Sequence, residues 1–398
     1  MTDTADQLST RNSVTLPSLA YTSACRRSHA NYRYRKAFVT NSLQHLQQEL
    51  MSTASTELAM SKAEPQLVFV FCGNGVMLKE FSEALLSSEP VFRDKCKEIE
   101  VLFQKHAPIS LLPAGGHSPK DLLNPELSQP LLFTLQVALS SLLKYWGIKP
   151  VAAVGHSVGE VAAAHFAGYL SLADAVKVIY HRSRLQAKTA RGSMLVVGNI
   201  PVQEIAERLH PYSGRVCIAA FNSPVSCTLS GNSDSVDAVQ RDLAQAFSQR
   251  NIFLHVLSVP AAYHSPSMDM ILGELEENIQ PLGKEKGEIE VISTLTGMAA
   301  TENDFSQSKF WARHTREPVA FTQAIKTAVR DRENVNNGVA LVPGAFYAEL
   351  GLASVMSSSR PKVPLSTCQM SISFSAPCVL TQRSQVLSIK LSPQKAVT

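Results

Sequence analysis

Several signals that would narrow the function quickly are missing from this 398-residue chain. Its seven cysteines (Cys25, Cys72, Cys96, Cys217, Cys227, Cys368, Cys378) are scattered, odd in number and form no CxxC pair. Neither a disulfide framework nor a structural zinc site is expected, and a reducing, cytoplasmic compartment is. The polar start MTDTADQLSTRNSV carries no apolar h-region, so no signal peptide is visible. The longest apolar stretch, PLLFTLQVALSSLL at 130–143, is too short for a membrane span and contains Thr and Gln. It predicts a buried helix. The formal net charge of +4 is too mild to argue for nucleic acid or a membrane surface. RRSHANYRYRK interleaves basic residues with tyrosines, a pattern that can track single-stranded nucleic acid. With so little net charge it reads better as a solvated, partly packed linker surface. No internal repeat is present.

What remains is a globular chain, 45% hydrophobic and 18% charged, large enough for two or three domains. Residues 1–15 read as a disordered start. Residues 16–50 read as linker carrying a strand-like AFVT and a polar helix, NSLQHLQQEL. Residues 51–65 read as further linker. From Leu67 the pattern changes. LVFVF is a short apolar run ending near glycine, as a buried parallel strand does. KEFSEALLSSEPVF reads as a helical segment, and VAAV at 151–154 as a second buried strand. Strands alternating with helices predict an α/β core. Residues 193–258 give strand, helix, strand, strand, helix, strand, the order of a ferredoxin-like insert. After about residue 333 the character changes again, to short alternating strands.

The second buried strand runs into GHSVG. A serine between two glycines, after a strand and before a helix, is a nucleophile elbow. The glycines allow a tight turn that lifts the Ser157 hydroxyl out of the backbone. The following helix N-terminus turns N–H groups toward a developing oxyanion, with Val158 N–H as the candidate donor. A serine needs a base. Among eleven histidines, His264 in VPAAYHSPSM stands out, because it follows the strand IFLHVL in a Pro-flanked loop. His156 adjoins the serine, but neighbours at an elbow point in different directions.

The next helix opens with a capping pattern, SLAD. Its apolar stripe includes Ala175, Val178, Ile179 and Leu185. Arg182 falls on that same stripe. A guanidinium facing a core is costly unless paired. Either a protein carboxylate satisfies it or a ligand does; arginine matches a carboxylate bidentately.

GHSVGE, HRSRLQ, FNSPVSCTLSG and AAYHSP, in that order, resemble the acyltransferase domain of modular type I polyketide synthases and animal-type fatty acid synthases, from about Leu67 to about Arg330. LAYTSACRRSHANYRYRKAFV resembles the linker between ketosynthase and acyltransferase. VALVPGAFYAELGLA resembles the start of a dehydratase. The resemblance implies an α/β fold: an α/β-hydrolase-like core with an inserted ferredoxin-like subdomain and a C-terminal partial hotdog-like β segment. It divides the chain into a linker remnant (1–65), an acyltransferase domain (66–330, small subdomain about 193–258) and a truncated dehydratase-like segment (334–398), as if excised from a megasynthase.

The implied chemistry is ping-pong acyl transfer. Ser157 takes an acyl group from a CoA thioester and passes it to the phosphopantetheine thiol of an acyl carrier protein. His264 is general base and acid, oriented by a backbone carbonyl near His314. Arg182 grips the free carboxylate of a malonyl-type unit, and Asn222 lies near the site. Tyr263, bulky before the catalytic histidine, favours malonyl over branched units. No cofactor of the domain's own is implied. The implied partners are malonyl-CoA, the carrier domain and the neighbouring ketosynthase and dehydratase, with neither nucleic acid nor membrane. An esterase, or a catalytically impaired fragment, are the competing readings.

Three features depart from the family pattern. The usual Gly-Gln-Gly-x-Gln loop is Gly73-Asn74-Gly75-Val76-Met77, so the second oxyanion donor, the Met77 N–H, is kept without the glutamine side chains. The closing strand and its Gly-Pro-His-Pro turn are missing after AVRDRE, which predicts an exposed edge or a cavity. In the dehydratase-like motif Gly338 and Pro343 fit, but Asn334 stands where a catalytic histidine is expected, and asparagine cannot act as a base.

Overall fold

The computed structural model describes residues 15–26, 34–35, 38, 40–52, 59–60, 66–74, 83–108, 110–112, 117–118, 120–189 and 192–330. The dehydratase-like and hotdog-like expectations, the segment after AVRDRE and Met77 all lie outside these residues. The chain divides into two compact units: residues 1–65 with 340–398, and residues 66–339.

The described part of the first unit holds α1 (Leu16–Cys25), β1 (Tyr34–Arg35), α2 (Leu43–Ser52) and β2 (Ala59–Met60), with β1 and β2 antiparallel. Leu46 and Leu50 of α2 pack against Leu16, Leu19 and Phe38. The polar helix expected at 41–50 is therefore present, shifted by two residues. Helix α1 was not expected. Its signal is a capping box, in which the Thr15 hydroxyl accepts from the Ser18 N–H and the Ser18 hydroxyl reaches back. The strand expected over AFVT is absent at its described residues, 38 and 40, and the pairing falls on Tyr34–Arg35 instead.

The second unit opens with β3 (Val68–Phe71). KEFSEALLSSEPVF does not form one helix. It gives α3 (Glu83–Ser88), then a break at Glu89, then α4 (Pro90–Gln104). Pro90 explains the break: it pushes Glu89 out of the helical region and itself suits the first turn of the next helix. Helix α5 (Pro125–Tyr145) contains the longest apolar stretch and is capped by the Asn124 side chain, which accepts from the Glu126 N–H at 3.0 Å. Six consecutive residues, Gln129 to Thr134, are buried, so this part of the helix is covered all round, as its apolar composition predicts. Strand β4 (Ala152–Gly155) leads through the serine turn into α6 (Gly159–Phe166), and α7 (Leu172–Ala187) follows, capped by Ser171 as the SLAD pattern predicts. The parallel strands β3 and β4 pair over Val68↔Ala152 to Phe71↔Gly155.

Next comes the strand–helix alternation expected at 193–258: β5 (Ser193–Gly198), α8 (Val202–Arg208), β6 (Val216–Ser223), β7 (Ser226–Gly231), α9 (Ser233–Ala246) and β8 (Phe253–Val256). They form an antiparallel sheet of order β6-β7-β5-β8. Its register places Leu195 opposite Leu229 and Val197 opposite Cys227, all fully buried. Because side chains alternate faces, a one-residue slip would turn this apolar set outward. With Val236, Val239 and Leu243 of α9 they form a cluster separate from the main core.

The chain then returns to the first sheet through α10 (Asp269–Ile279) and β9 (Glu290–Ile292), giving the parallel order β3-β4-β9. Helices α11 (Glu302–Phe305), α12 (Ser308–Arg316) and α13 (Phe321–Arg330) follow. The segment between α12 and α13 is tied to β6 at Val319: its N–H donates to Ala219 O at 2.8 Å, and its carbonyl accepts from Phe221 N at 2.9 Å. This seam decides where the end of α12 lies, and α12 carries part of the site described below.

Leu243→Ala should cost about 2–5 kcal/mol, since it leaves a cavity in the small cluster. Val225→Ala, at a position 45% exposed, should stay within about 0.5 kcal/mol. Thermal melting of both variants checks this. Equal effects would contradict the separate core.

Candidate active site

The serine turn sits at the carboxyl ends of the parallel strands. Ser157 has φ +51°, a conformation that costs energy in a residue with a side chain and that persists only where its surroundings enforce it. The enforcement is visible on both sides. A Cβ on Gly155 would lie 2.1 Å from Glu160 Cα, and one on Gly159 would lie 2.4 Å from the Phe71 carbonyl. Only glycine lets β4, the turn and α6 approach this closely. Gly73, at the end of β3, also closes on the turn; a Cβ there would meet His156 Nδ1 and the His156 carbonyl at 2.8 Å. Val158 caps the N-terminus of α6 and is buried.

His264 reaches the serine from the loop after β8. The Ser157 hydroxyl donates to His264 Nε2 at 2.6 Å, and His264 Nδ1 donates to the Glu317 carbonyl at 2.9 Å. A carbonyl can only accept, so it fixes the proton on Nδ1 and leaves the Nε2 lone pair for the serine. The carbonyl expected near His314 is thus that of Glu317, three residues further on. It is presented because α12 ends there and Pro318 follows. Burial, Arg182 and His314 hold the His264 imidazole well below its ordinary range, so the free base is the resting form.

Arg182 lies on the core-facing side of α7, only 2% exposed. Among the described residues no carboxylate pairs with it. Its Nη1 donates to His314 Nδ1 at 3.0 Å and its Nη2 to Ser157 Oγ at 3.3 Å, while Nε–H has no partner. Burial lowers its pKa to about 10, and Glu160 opposes that shift. The cation therefore stays charged at neutral pH, buried, and in direct contact with the Ser157 hydroxyl. Of the two alternatives the sequence leaves open, the protein carboxylate is not the one found.

Glu160, in the first turn of α6, is wholly buried. Its Oε2 accepts from Thr294 N at 2.8 Å, from Thr294 Oγ1 at 2.6 Å and from His314 Nε2 at 3.2 Å. Burial pushes its carboxyl up, but His314 and the hydroxyl donors outweigh this and keep it below the ordinary range. His314 bridges the two charges. It is itself held below its ordinary value by burial, with Glu160 pulling the other way.

The remaining expected residues divide. Tyr263 is 4% exposed, and its phenol, raised by burial, lies beside Arg182 and Gln129. Asn222 binds the residue next to the serine. Its Oδ1 accepts from His156 Nε2 at 3.1 Å, and its Nδ2 donates to Thr228 Oγ1 at 2.9 Å, so it braces the residue behind Ser157. Met77 lies outside the described residues. Sequence reasoning missed Glu160, His314 as a side chain, and the buried pair in which Gln129 Nε2 donates to Gln186 Oε1 at 2.6 Å. Glu160 did leave a signal: a carboxylate beside Val-Ala-Ala-Ala on a short helix has nowhere to go but inward. His314 left none beyond its place in WARHTREPV.

The match to known proteins follows this geometry. A model of the acyl transferase domain covers residues 68–354. The chain belongs to the acyl transferase domain family. The domain is 36% identical over 269 residues to mycoketide-CoA synthase of Mycobacterium tuberculosis, a match covering 67% of this chain and 6% of that protein. The acyltransferase domain of the polyketide synthase PpsC, also of M. tuberculosis, is 30% identical at a TM-score of 0.60, covering 66% of this chain and 79% of that one. The acyltransferase domain of SpnD, solved with 2-(pent-4-yn-1-yl)malonyl, is 25% identical at a TM-score of 0.73, covering 89% and 83%. The chain spans only 5–15% of the length of several curated polyketide synthases it matches.

In this acyltransferase domain the His264 imidazole can accept the Ser157 proton only when neutral. Its depressed pKa keeps it neutral into acid, so Ser157 reactivity should persist below pH 6.5 and fall only well under it. Removing the neighbouring charge in Arg182→Ala should move the acid limb up toward 6.5. Labelling of Ser157 by a fluorophosphonate across pH checks both. An acid limb at the ordinary histidine value in the parent would contradict the assignment.

Proposed function

We propose that this acyltransferase domain loads malonyl from malonyl-CoA onto Ser157 and transfers it to the phosphopantetheine thiol of an acyl carrier protein within a polyketide synthase. The observation that carries this reading is Arg182: a buried cation, 3.3 Å from Ser157 Oγ, with no carboxylate partner among the described residues. A cation so placed favours an acyl group that brings its own carboxylate.

The steps follow from the tautomers. Ser157 Oγ attacks the thioester carbonyl as its proton passes to His264 Nε2. The tetrahedral oxyanion forms beside the N-terminus of α6, where Val158 N–H is the proposed donor and Met77 N–H the second. The C–S bond breaks, and the CoA thiolate takes the proton from His264. The carrier thiol then attacks the malonyl ester with His264 again as base, and Ser157 leaves as the hydroxyl. Glu317, through its carbonyl, keeps His264 aligned in both halves. Tyr263, packed beside Arg182, fills the space a branch at the malonyl α-carbon would need. The domain uses no cofactor of its own in these steps.

The finer architecture is proposed in the same terms. Strand order β6-β7-β5-β8 with two crossing helices supports a ferredoxin-like subdomain at about 193–258. The strand–elbow–helix unit in a parallel sheet supports an α/β-hydrolase-like core for the domain at 66–330. Residues 1–65 are proposed as linker and 334–398 as a truncated dehydratase start, which place ketosynthase, dehydratase and carrier domains as partners. An esterase is disfavoured by the base's partner, which is a backbone carbonyl and not an Asp or Glu side chain.

Intact-protein mass spectrometry after brief incubation with malonyl-CoA tests the proposal. The parent should gain one malonyl group and Ser157→Ala none. Arg182→Ala should lose malonyl loading by about tenfold or more, the scale of hydrogen bonds to a charged group, and gain relative tolerance for acetyl. No adduct on a folded parent would sink the reading.

A further inference from the structure

Arg182, His314 and Glu160 form a line of three buried side chains that reaches the nucleophile. Arginine is a donor only, so His314 Nδ1 must offer a lone pair to Nη1. A carboxylate is an acceptor only, so His314 Nε2 must carry the proton toward Glu160. Both constraints select the same species, a neutral imidazole protonated on Nε2. The ring is also fixed by packing, stacked on Phe310 at 6.0 Å and edge-on to Trp311 at 5.6 Å.

The placement has a consequence for the guanidinium. Nη1 is the nitrogen nearer Cδ, and His314 occupies it. The opposite edge of the plane carries Nε–H and Nη2–H side by side. Nε–H is unpartnered, and Nη2 has only the long contact to Ser157. This unsatisfied edge is the fork that matches a carboxylate. Without the imidazole, the nearest buried carboxylate, Glu160, could pair with Arg182 directly. A direct ion pair would neutralise the cation and occupy the fork.

The geometry points to His314 as a positioning residue: its neutral imidazole keeps Glu160 one ring away from Arg182 and turns the Nε/Nη2 edge toward Ser157, so that the free carboxylate of a dicarboxylic acyl thioester meets an unneutralised fork. This inference rests on the malonyl-loading reading and adds to it the device that keeps the clamp open. His314 contacts neither acyl group nor Ser157, and its effect on the acyl carboxylate runs through Arg182.

The test compares loading of malonyl-CoA and acetyl-CoA on the full chain in three proteins. His314→Phe keeps the ring and its packing but removes both nitrogens. His314→Asn offers Oδ1 where Nδ1 stood. The ratio of malonyl to acetyl kcat/KM should fall by about tenfold or more in His314→Phe, chiefly through KM for malonyl-CoA. His314→Asn should return most of that ratio. A His314→Phe ratio equal to the parent's, or an equal fall for both thioesters that asparagine does not repair, would overturn the inference and leave the malonyl reading standing. A parent with no preference for malonyl would overturn both. If His314→Phe does not fold, the imidazole 15N shifts of His314 in the parent decide: a neutral Nε2–H tautomer supports the bridge, and an imidazolium or an Nδ1–H tautomer overturns it.

Discussion

A full positive charge held in the interior, with no carboxylate against it among the described residues, is the constraint on which the rest of this site depends. Removing an arginine from water costs several kcal/mol unless its donors are used and its charge is answered. In this fold two of the three guanidinium nitrogens have partners, and both partners are neutral: an imidazole and a hydroxyl. The balancing carboxylate, Glu160, is present but sits behind the imidazole. Under the malonyl-loading proposal an anionic acyl group answers this charge, and a neutral acyl group would leave the buried fork unpaired.

The architecture follows from where the three parts of the site must come from. Ser157 needs a parallel strand ending in a strained turn, and β3, β4 and α6 supply it through glycines that let backbones touch. His264 must approach from the side, and the loop leaving β8 brings it there. The carbonyl that fixes its tautomer belongs to Glu317, which is placed by the end of α12 and the Val319 seam to β6. Serine, base and orienting carbonyl therefore come from three separate stretches of chain. The antiparallel sheet, with a hydrophobic cluster of its own, helps to position two of them. Asn222 adds a further tie from that sheet, through His156, to the back of the nucleophile.

The elbow was legible because its chemistry is local. Two glycines flanking a serine, a buried strand before and a helix after, can mean little else. The succession of strands and helices over 193–258 was legible for the same reason, since each strand alternates or runs apolar over its own few residues. Arg182 was legible as a misfit, a charge on an apolar stripe, although the stripe could not tell whether protein or ligand would answer it. The break at Glu89 was readable from Pro90 and was passed over in favour of one long helix. The pairing of His314 with Glu160 was not readable, because 154 residues separate them in the chain and no local pattern links an acid in one helix to a histidine in another. A buried network of this kind is written in the tertiary structure alone.

The most direct test of an open cation is to measure what it binds without letting it react. The Ser157→Ala chain would be titrated calorimetrically with malonyl-CoA and acetyl-CoA analogues in which a methylene replaces the thioester sulfur. An unneutralised fork predicts that the malonyl analogue binds tighter by about tenfold or more, and that Arg182→Ala in the same background erases the difference. Equal affinity for the two analogues would contradict the account, because the buried charge would then be satisfied within the protein and not by the substrate.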